Sequence, residues 1–174
     1  MDFLCLDFIN IRFGTAPSGA PWPDEDDLRR LCAKWALPEP EKTLQAPLVR
    51  LHAEIGLAAR EFSASGTIDM HTLDGLNAHL EPVQLRTVLE RRGTGFYVNM
   101  APQCPENTLL PYRIVLSFAS LVSGHEAGRL KICENPDCGW IFYDQSKSRT
   151  RRWCANTCAS LIKVRRFRKK QAGA

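Results

Sequence analysis

The sequence has 174 residues, of which 44% are hydrophobic and 24% charged, with a formal net charge of +4 at pH 7. This is the composition of an ordinary globular protein that is long enough to bury a sizeable core. The most apolar run, Ile114 to Val122, is too short to cross a bilayer, and the acidic start is unlike a secretory signal. These features exclude a membrane-spanning chain and predict a cytoplasmic protein.

Residues 1–126 predict a mainly helical domain with one or two β-hairpins. The opening segment LCLDFINIR fits either a buried strand or a first helix, because periodicity cannot separate the two. The segment TAPSGAPWPD predicts a loop from its Pro and Gly content, and Asp24 then predicts the cap of a helix that ends before Pro38.

The strongest helical signal is one apolar stripe with alternating spacings of four and three residues. Its members are Leu44, Leu48, Leu51, Ile55, Ala58 and Phe62. Asp69 predicts the start of a shorter helix, and alternating apolar residues on both sides of RRGTG predict a hairpin over 83–100. Residues 109–122 return to a helical pattern. No catalytic or phosphate-binding motif occurs in this domain, so we expect no enzyme.

Two polar residues, Asp7 and Asn10, interrupt the apolar opening segment. Polar groups that are buried in such a run must find hydrogen-bond partners. A structural role is the favoured interpretation, and a ligand site around Asp7 and Asn10 is the alternative. An enzyme with its active site at these two residues is the weakest of the functional hypotheses.

Four of the seven cysteines lie within 26 residues. Cys133 and Cys138 form a Cys-x4-Cys pair, and Cys154 and Cys158 form a Cys-x3-Cys pair, with fifteen residues between the two pairs. Two close pairs that a short fold brings together suit one Zn²⁺ ion, which takes four thiolates in a tetrahedron. Four cysteines leave no open position for water, so the spacing predicts a structural zinc and not a catalytic one.

The alternatives to a metal site are disulfide bonds or unrelated buried thiols. The lack of an export signal disfavours disulfides, and the charged, turn-rich segment has little core in which to bury thiols. Cys5, Cys32 and Cys104 lie far apart along the chain, and we expect them to be small buried or incidental side chains.

The residues around the cysteines predict a treble-clef-like module over 127–174. Gly139 allows a sharp turn after Cys138, residues 140–143 form a strand, and residues 144–148 form a turn. Residues 150–153 are the predicted return strand, and a helix begins at Asn156 with Cys158 in its first turn. The predicted fold class of the whole chain is therefore α+β.

Charge is divided unevenly along the chain. Residues 129–174 carry twelve Lys and Arg against three acidic residues, whereas residues 1–128 carry eleven against sixteen. A cationic module on an acidic body predicts binding to a polyanion, although a solvated charged face is the simpler alternative. The predicted nucleic-acid contacts are Lys147, Arg149, Arg151, Arg152, Lys163, Arg165, Arg166, Arg168, Lys169 and Lys170. We expect Leu161, Val164 and Phe167 to face the module.

The segment CENPDCGWIFYDQSKSRTRRWC, with the second cysteine pair and KVRRFRKK, resembles bacterial proteins that carry a C-terminal CGNR zinc finger. In these proteins the finger follows an N-terminal ABATE domain, whose opening LDFxNT and Leu-Asn helix resemble LCLDFINIR and LDGLNAHL here. The resemblance implies a stress-induced transcription regulator in which Cys133, Cys138, Cys154 and Cys158 bind zinc and the finger binds DNA. The signature Cys-Gly-Asn-Arg is here Cys158-Ala159-Ser160-Leu161, so only its cysteine is present.

Two classes of function follow. The first is a zinc-stabilised DNA-binding regulator whose body senses a small-molecule effector or forms a homodimer. The second is a finger that binds protein or RNA, attached to a small-molecule-sensing domain. The missing Gly-Asn-Arg favours the second class more than it would in a typical relative.

Overall fold

The protein is described from a computed structural model over residues 2–15, 21–41, 44–124 and 126–172. The helices are α1 (Leu4–Ile9), α2 (Glu25–Lys34), α3 (Gln45–Ser65), α4 (Met70–Ala78), α5 (Glu106–Gly124) and α6 (Asn156–Ala172). The strands are β1 (Phe13–Thr15), β2 (Pro21–Pro23), β3 (Gln84–Arg92), β4 (Gly95–Gln103), β5 (Leu130–Ile132) and β6 (Ile141–Tyr143). Consecutive strands pair as three antiparallel two-stranded sheets, which confirms the α+β class.

Helix α3 is the centre of the core. Every member of the predicted apolar stripe is buried on it, with Leu48, Leu51, Ile55 and Ala58 fully inaccessible. Helices α1 and α5 pack against this stripe, and α1 resolves the ambiguity of the opening segment because Cys5 and Phe8 on it are also fully buried. A six-residue helix survives here because packing stabilises it more than its own propensity does.

The predicted helix boundaries are confirmed where side chains cap them. The Asp24 carboxylate accepts a hydrogen bond from the Asp27 N–H, and the Asp69 carboxylate accepts one from the His71 N–H. Helix α3 ends at Gly66, whose φ of 74° places it in the left-handed region that closes a helix. In the segment predicted as a loop, β1 pairs with β2, and residues 16–20 between them lie outside the described residues.

The hairpin of β3 and β4 matches the prediction for 83–100 and extends it to Gln103. Among the described elements, its two strands contact chiefly each other. One face of the hairpin carries five exposed apolar side chains, which are Leu85, Leu89, Phe96, Val98 and Met100.

The C-terminal module joins the main core through its first two strands. Leu130 and Ile141 are buried in the same cluster as the body helices, at 1% and 2% exposure. The Ser63 hydroxyl on α3 donates to the Leu130 carbonyl at 2.7 Å, and the rings of Phe3 and Tyr143 meet edge to face. The described parts of 1–126 and 127–174 thus share packed surface, and the division of the chain into two domains at this boundary stays a prediction.

Two sequence expectations for this module are wrong. Residues 150–153 do not form a strand, and β6 pairs instead with β5, the strand before the first cysteine pair. Leu161, Val164 and Phe167 do not face the module, since they are 51%, 46% and 61% exposed. Beyond Cys158, the apolar side chains of α6 belong to neither buried cluster of the described residues.

Within the described residues, the structure contains no helix long and apolar enough to span a membrane.

Candidate metal centre

The first two cysteines lie on a tight turn between β5 and β6. The Cys133 N–H donates to the Trp140 carbonyl at 2.8 Å, and the Cys138 N–H donates to the Asn135 carbonyl at 2.9 Å. Gly139 follows with a φ of 65°, a conformation that side chains rarely adopt, so the predicted need for glycine is confirmed. This turn points both thiols of the pair to one side.

The second pair is placed by the start of α6. Cys154 precedes the helix, and Cys158 lies in its first turn, as the sequence predicted. The Cys154 N–H donates to the Cys133 Sγ at 3.4 Å, which joins the two pairs directly. Cys158 is buried, and the side-chain amide of Asn135, itself 5% exposed, donates to its Sγ at 3.4 Å.

The four sulfur atoms have the spacing of a tetrahedral metal site. All four lie within 4.8 Å of one another, with 3.6 Å between the Sγ atoms of Cys138 and Cys154 and 3.8 Å between those of Cys154 and Cys158. When four thiolates surround one zinc ion as a tetrahedron, each sulfur lies about 2.3 Å from the ion and the sulfur atoms lie about 3.8 Å from one another. A disulfide requires about 2.05 Å, and all seven cysteines are free.

The charge of such a cluster requires a cation. Burial raises the pKa of Cys154 far above the ordinary range, and its hydrogen bonds with Cys138 and Cys133 add to this shift. Against the effect of burial, hydrogen bonds from the backbone N–H groups of Cys154 and Asn135 lower the pKa of Cys133. Four thiolates at this spacing repel one another strongly, and a divalent ion is what allows all of them to ionise.

The geometry therefore defines a closed four-cysteine zinc site, with one structural Zn²⁺ held by Cys133, Cys138, Cys154 and Cys158. Residues 129–171 match the family model of the CGNR zinc finger, so the predicted resemblance is confirmed for this module. The match does not extend into residues 1–128, where the ABATE domain stays a prediction. No curated protein matches the chain.

A buried carboxylate organises the loop between the two cysteine pairs. The Asp144 side chain is fully inaccessible and accepts hydrogen bonds from the Lys131 Nζ at 2.8 Å and the Arg151 N–H at 3.0 Å. Its other oxygen accepts from the Ser146 N–H and hydroxyl. Although burial opposes the shift, these donors hold the pKa of Asp144 well below its usual range. Asp144 thus fixes the path of the chain toward Cys154.

Four of the ten predicted nucleic-acid contacts are engaged within the protein. Arg149 pairs with Glu126, Arg152 with Glu134 and Arg165 with Asp137. The guanidinium of Arg151 donates to the carbonyls of Trp153 and Cys154 and lies over the Phe142 ring. These four cations stabilise the finger, so their charge is less available for binding a nucleic acid.

Five other predicted contacts are exposed and form no ion pair with a carboxylate among the described residues. They are Lys147, Lys163, Arg166, Arg168 and Lys169. The side chain of the tenth, Lys170, lies outside the described residues. Lys163, Arg166 and Lys169 follow one another at three-residue intervals, so they lie along one side of α6.

Asp7 and Asn10 both make structural contacts. The Asp7 carboxylate accepts from the Trp35 indole N–H and the Lys34 Nζ, each at 2.8 Å. The Asn10 amide donates to the Ile141 carbonyl at 2.8 Å and accepts from the Ile141 N–H at 3.0 Å, and so it occupies the outer edge of β6. Both residues also line a cleft of about 300 Å³ with Trp140 of the finger.

Sequence reasoning missed Asp144, Ser63 and Arg60. Asp144 carried a weak signal, because an Asp directly after an apolar strand and two residues before Ser is typical of an Asx turn. Ser63 and Arg60 carried none, since only the packing of α3 against β5 brings them to the finger. Arg60 lines a cleft of about 380 Å³ together with Lys131, Arg151 and Arg152.

Proposed function

We propose that this protein binds the phosphate backbone of double-stranded DNA through its zinc-stabilised C-terminal module and acts as a transcription regulator. The observation that carries the proposal is the set of exposed cations without acidic partners on α6 and the preceding loop. Zinc fixes the start of this helix through Cys158, so the positive charges are held in one orientation. Phosphate contacts of this kind supply affinity without reading the base sequence.

The cationic surface continues from α6 onto the body. The hydrogen bond from Arg152 and the nearby charges of Arg166 and Lys131 lower the pKa of Glu134, so Arg166 of α6 acts on the same carboxylate as these two cations of the finger. Lys131 and Arg152 in turn line the cleft that Arg60 of α3 shares. Arg60 has no carboxylate partner among the described residues, so its guanidinium is available to a phosphate at this seam.

The number of available cations sets the salt dependence. Five predicted residues and Arg60 provide about six phosphate contacts, for which log K falls with log[salt] at a slope of about −5. Where the signature has Asn and Arg, the second turn of α6 carries Ser160 and the apolar Leu161. We therefore expect little discrimination between DNA sequences.

Fluorescence anisotropy with a labelled DNA duplex at low salt tests the proposal. The double variant Lys163→Glu/Arg166→Glu should bind at least about tenfold more weakly than the wild type, because it reverses two phosphate contacts. The control is Arg86→Glu/Arg113→Glu, which makes the same change in net charge at exposed positions on β3 and α5. Equal losses in the two double variants would show that only net charge matters and would contradict a defined surface.

The contribution of Arg60 to DNA binding can be distinguished from that of α6 by its effect on the slope of log K against log[salt]. Arg60→Glu should make the slope less steep by about one unit, since one phosphate contact is lost. Arg113→Glu should leave the slope unchanged. An unchanged slope in Arg60→Glu would confine the binding surface to the finger.

A protein partner is the second proposed class, and the uncovered stripe on α6 favours it. Leu161 and Val164 lie next to Arg165 and Arg168, and Phe167 lies one turn after Lys163, so cations flank the apolar stripe on both sides. An apolar stripe with a basic rim suits an acidic, amphipathic partner. Binding of single-stranded RNA in preference to duplex DNA, or a partner that co-purifies in the absence of DNA, would favour this class.

The sensing role is proposed for the cleft at Asp7, Asn10 and Trp140. The cleft joins α1 and α2 of the body to the first residue before β6, so a small molecule there would contact both parts of the chain. The ABATE-like domain predicted for residues 1–126 would fit such a role. The melting temperature of the protein can be measured in the presence of a panel of small anions and aromatic acids. A compound that binds the cleft as an effector should raise this temperature.

A further inference from the structure

The β3–β4 hairpin has one apolar and one polar face. Side chains alternate along each strand, and the register Leu89↔Val98 and Thr87↔Met100 places Leu85, Leu89, Phe96, Val98 and Met100 on the same side. We call this side the apolar hairpin face. Each of the five residues is between 53% and 71% exposed.

The opposite face is suited to water. Across the strands the Asn99 amide donates to the Glu90 carboxylate at 2.9 Å, and Arg92 pairs with the same carboxylate at 3.0 Å. An antiparallel sheet with this division normally packs its apolar side on a core. Here no other described element covers it, and a two-stranded hairpin alone is marginally stable in water.

We propose that the apolar hairpin face is the interface of a homodimer in which two copies of the hairpin pack face to face about a two-fold axis. The face extends over nine residue pairs, or about 30 Å, so an antiparallel arrangement covers it from end to end. In that arrangement Phe96 at the tip of one copy packs on Leu85 and Pro102 at the base of the other. Such an interface is isologous, because each copy offers the same residues.

The available area agrees with a second copy as the occupant. A free side chain of this size exposes on the order of 200 Å², so the five residues present roughly 600 Å² per copy at their observed exposures. Two copies would bury roughly 1,200 Å², which lies at the low end of specific protein interfaces.

The charges on the apolar hairpin face argue against a polyanion as its occupant. Arg91 is its one cation, and the Arg91 Nε donates to the Gly93 carbonyl at the hairpin tip and not across the face. The proposed dimer is therefore independent of the proposed DNA-binding surface on α6, and it would present two such surfaces per assembly.

Sedimentation equilibrium of the full chain, with zinc bound, tests the proposal. The wild type should be dimeric at about 100 μM, within the affinity range of interfaces of this size. Val98→Lys should weaken the dimer at least about 100-fold, because two unpaired charges enter a symmetric apolar interface. Tyr97→Lys is the matched control, since the neighbouring residue on β4 points to the polar face opposite Glu90, and it should leave the dimer intact.

A wild type that is monomeric at about 100 μM would overturn the proposal. A dimer that Val98→Lys leaves unchanged would also overturn it, and so would equal losses in both variants, which would reflect strand stability instead of the face. Hydrogen exchange provides an independent readout, because dilution of the wild type should selectively raise exchange of the β3 and β4 amides. If the exchange rates of the β3 and β4 amides did not change with protein concentration, the dimer would be contradicted.

Discussion

Different interactions stabilise the helical body and the C-terminal module. The body buries a continuous apolar cluster around α3, with Leu48, Leu51 and Ile55 fully inaccessible. The module has its own cluster of only three buried residues, which are Cys133, Phe142 and Cys158. Apolar burial, to which Leu130 and Ile141 of the module contribute, thus dominates in the body, whereas the module depends on its thiols, on Asp144 and on its contacts with the body.

The two long helices show the same contrast. Helix α3 places its apolar stripe inside the protein, whereas α6 leaves Leu161, Val164 and Phe167 exposed beside a row of cations. A helix that is fixed at one end by a metal ligand does not need a buried stripe to keep its position. Its surface is therefore free to carry charge.

The largest expected effect comes from removing a metal ligand. Cys158→Ser, or chelation of the wild type, should unfold the module, because structural zinc contributes an apparent ~10–16 kcal/mol to folding in small fingers. Hydrogen exchange should become fast for residues 130–160 while α3 stays protected. Cys104→Ser is the control, since Cys104 lies outside the cluster, and loss of protection throughout α3 would contradict the division of forces.

A smaller loss is expected from the buried carboxylate. Asp144→Asn should lower the free energy of unfolding by about 3 kcal/mol, because Lys131 would lose its buried partner. Urea unfolding monitored by tryptophan fluorescence, to which Trp140 and Trp153 of the module contribute, measures this change. Asp137→Asn, which breaks only the exposed pair with Arg165, should cost less than about 1 kcal/mol. Equal costs for the two variants would show that Asp144 has no special role.

The sequence predicted correctly those features that depend on residues close together in the chain. The spacing of the cysteines, the glycine after Cys138 and the stripe on α3 each lie within one turn or helix, and all three were confirmed. The return strand at 150–153 was wrong for a non-local reason, because Asn10 fills the outer edge of β6 from a position 131 residues away. The position of Arg60 beside the finger and the exposure of the α6 stripe likewise depend on packing between distant segments, which a local sequence pattern does not show.

The seam between body and module can be weakened through Asn10. Asn10→Ala should lower the free energy of unfolding by about 2 kcal/mol, since it leaves the Ile141 N–H and carbonyl without their partner. Release of zinc to a chromogenic chelator should become faster as the module loosens. Asn77→Ala at an exposed site on α4 should change neither quantity. Unchanged zinc release in Asn10→Ala would show that the module does not depend on the body.

The smallest effect concerns an ion pair within the body. Hydrogen bonds from Arg12 and Arg30 lower the pKa of Asp27 from its ordinary 3.8 to about 2. A lowered pKa gives stability that is present above about pH 4 and is lost as the pH falls towards 2. Asp27→Asn should therefore be less stable than the wild type at pH 6 by about 1 kcal/mol, and the difference should shrink at pH 3. A difference independent of pH would contradict this assignment.

The most direct test of the account is the metal content of the purified protein. Elemental analysis should find one zinc per chain, and X-ray absorption should show four sulfur neighbours at about 2.3 Å. Thiol titration after denaturation and chelation should then recover all seven cysteines as free thiols. A protein without metal, or one in which Cys133, Cys138, Cys154 and Cys158 are joined as disulfides, would contradict the account.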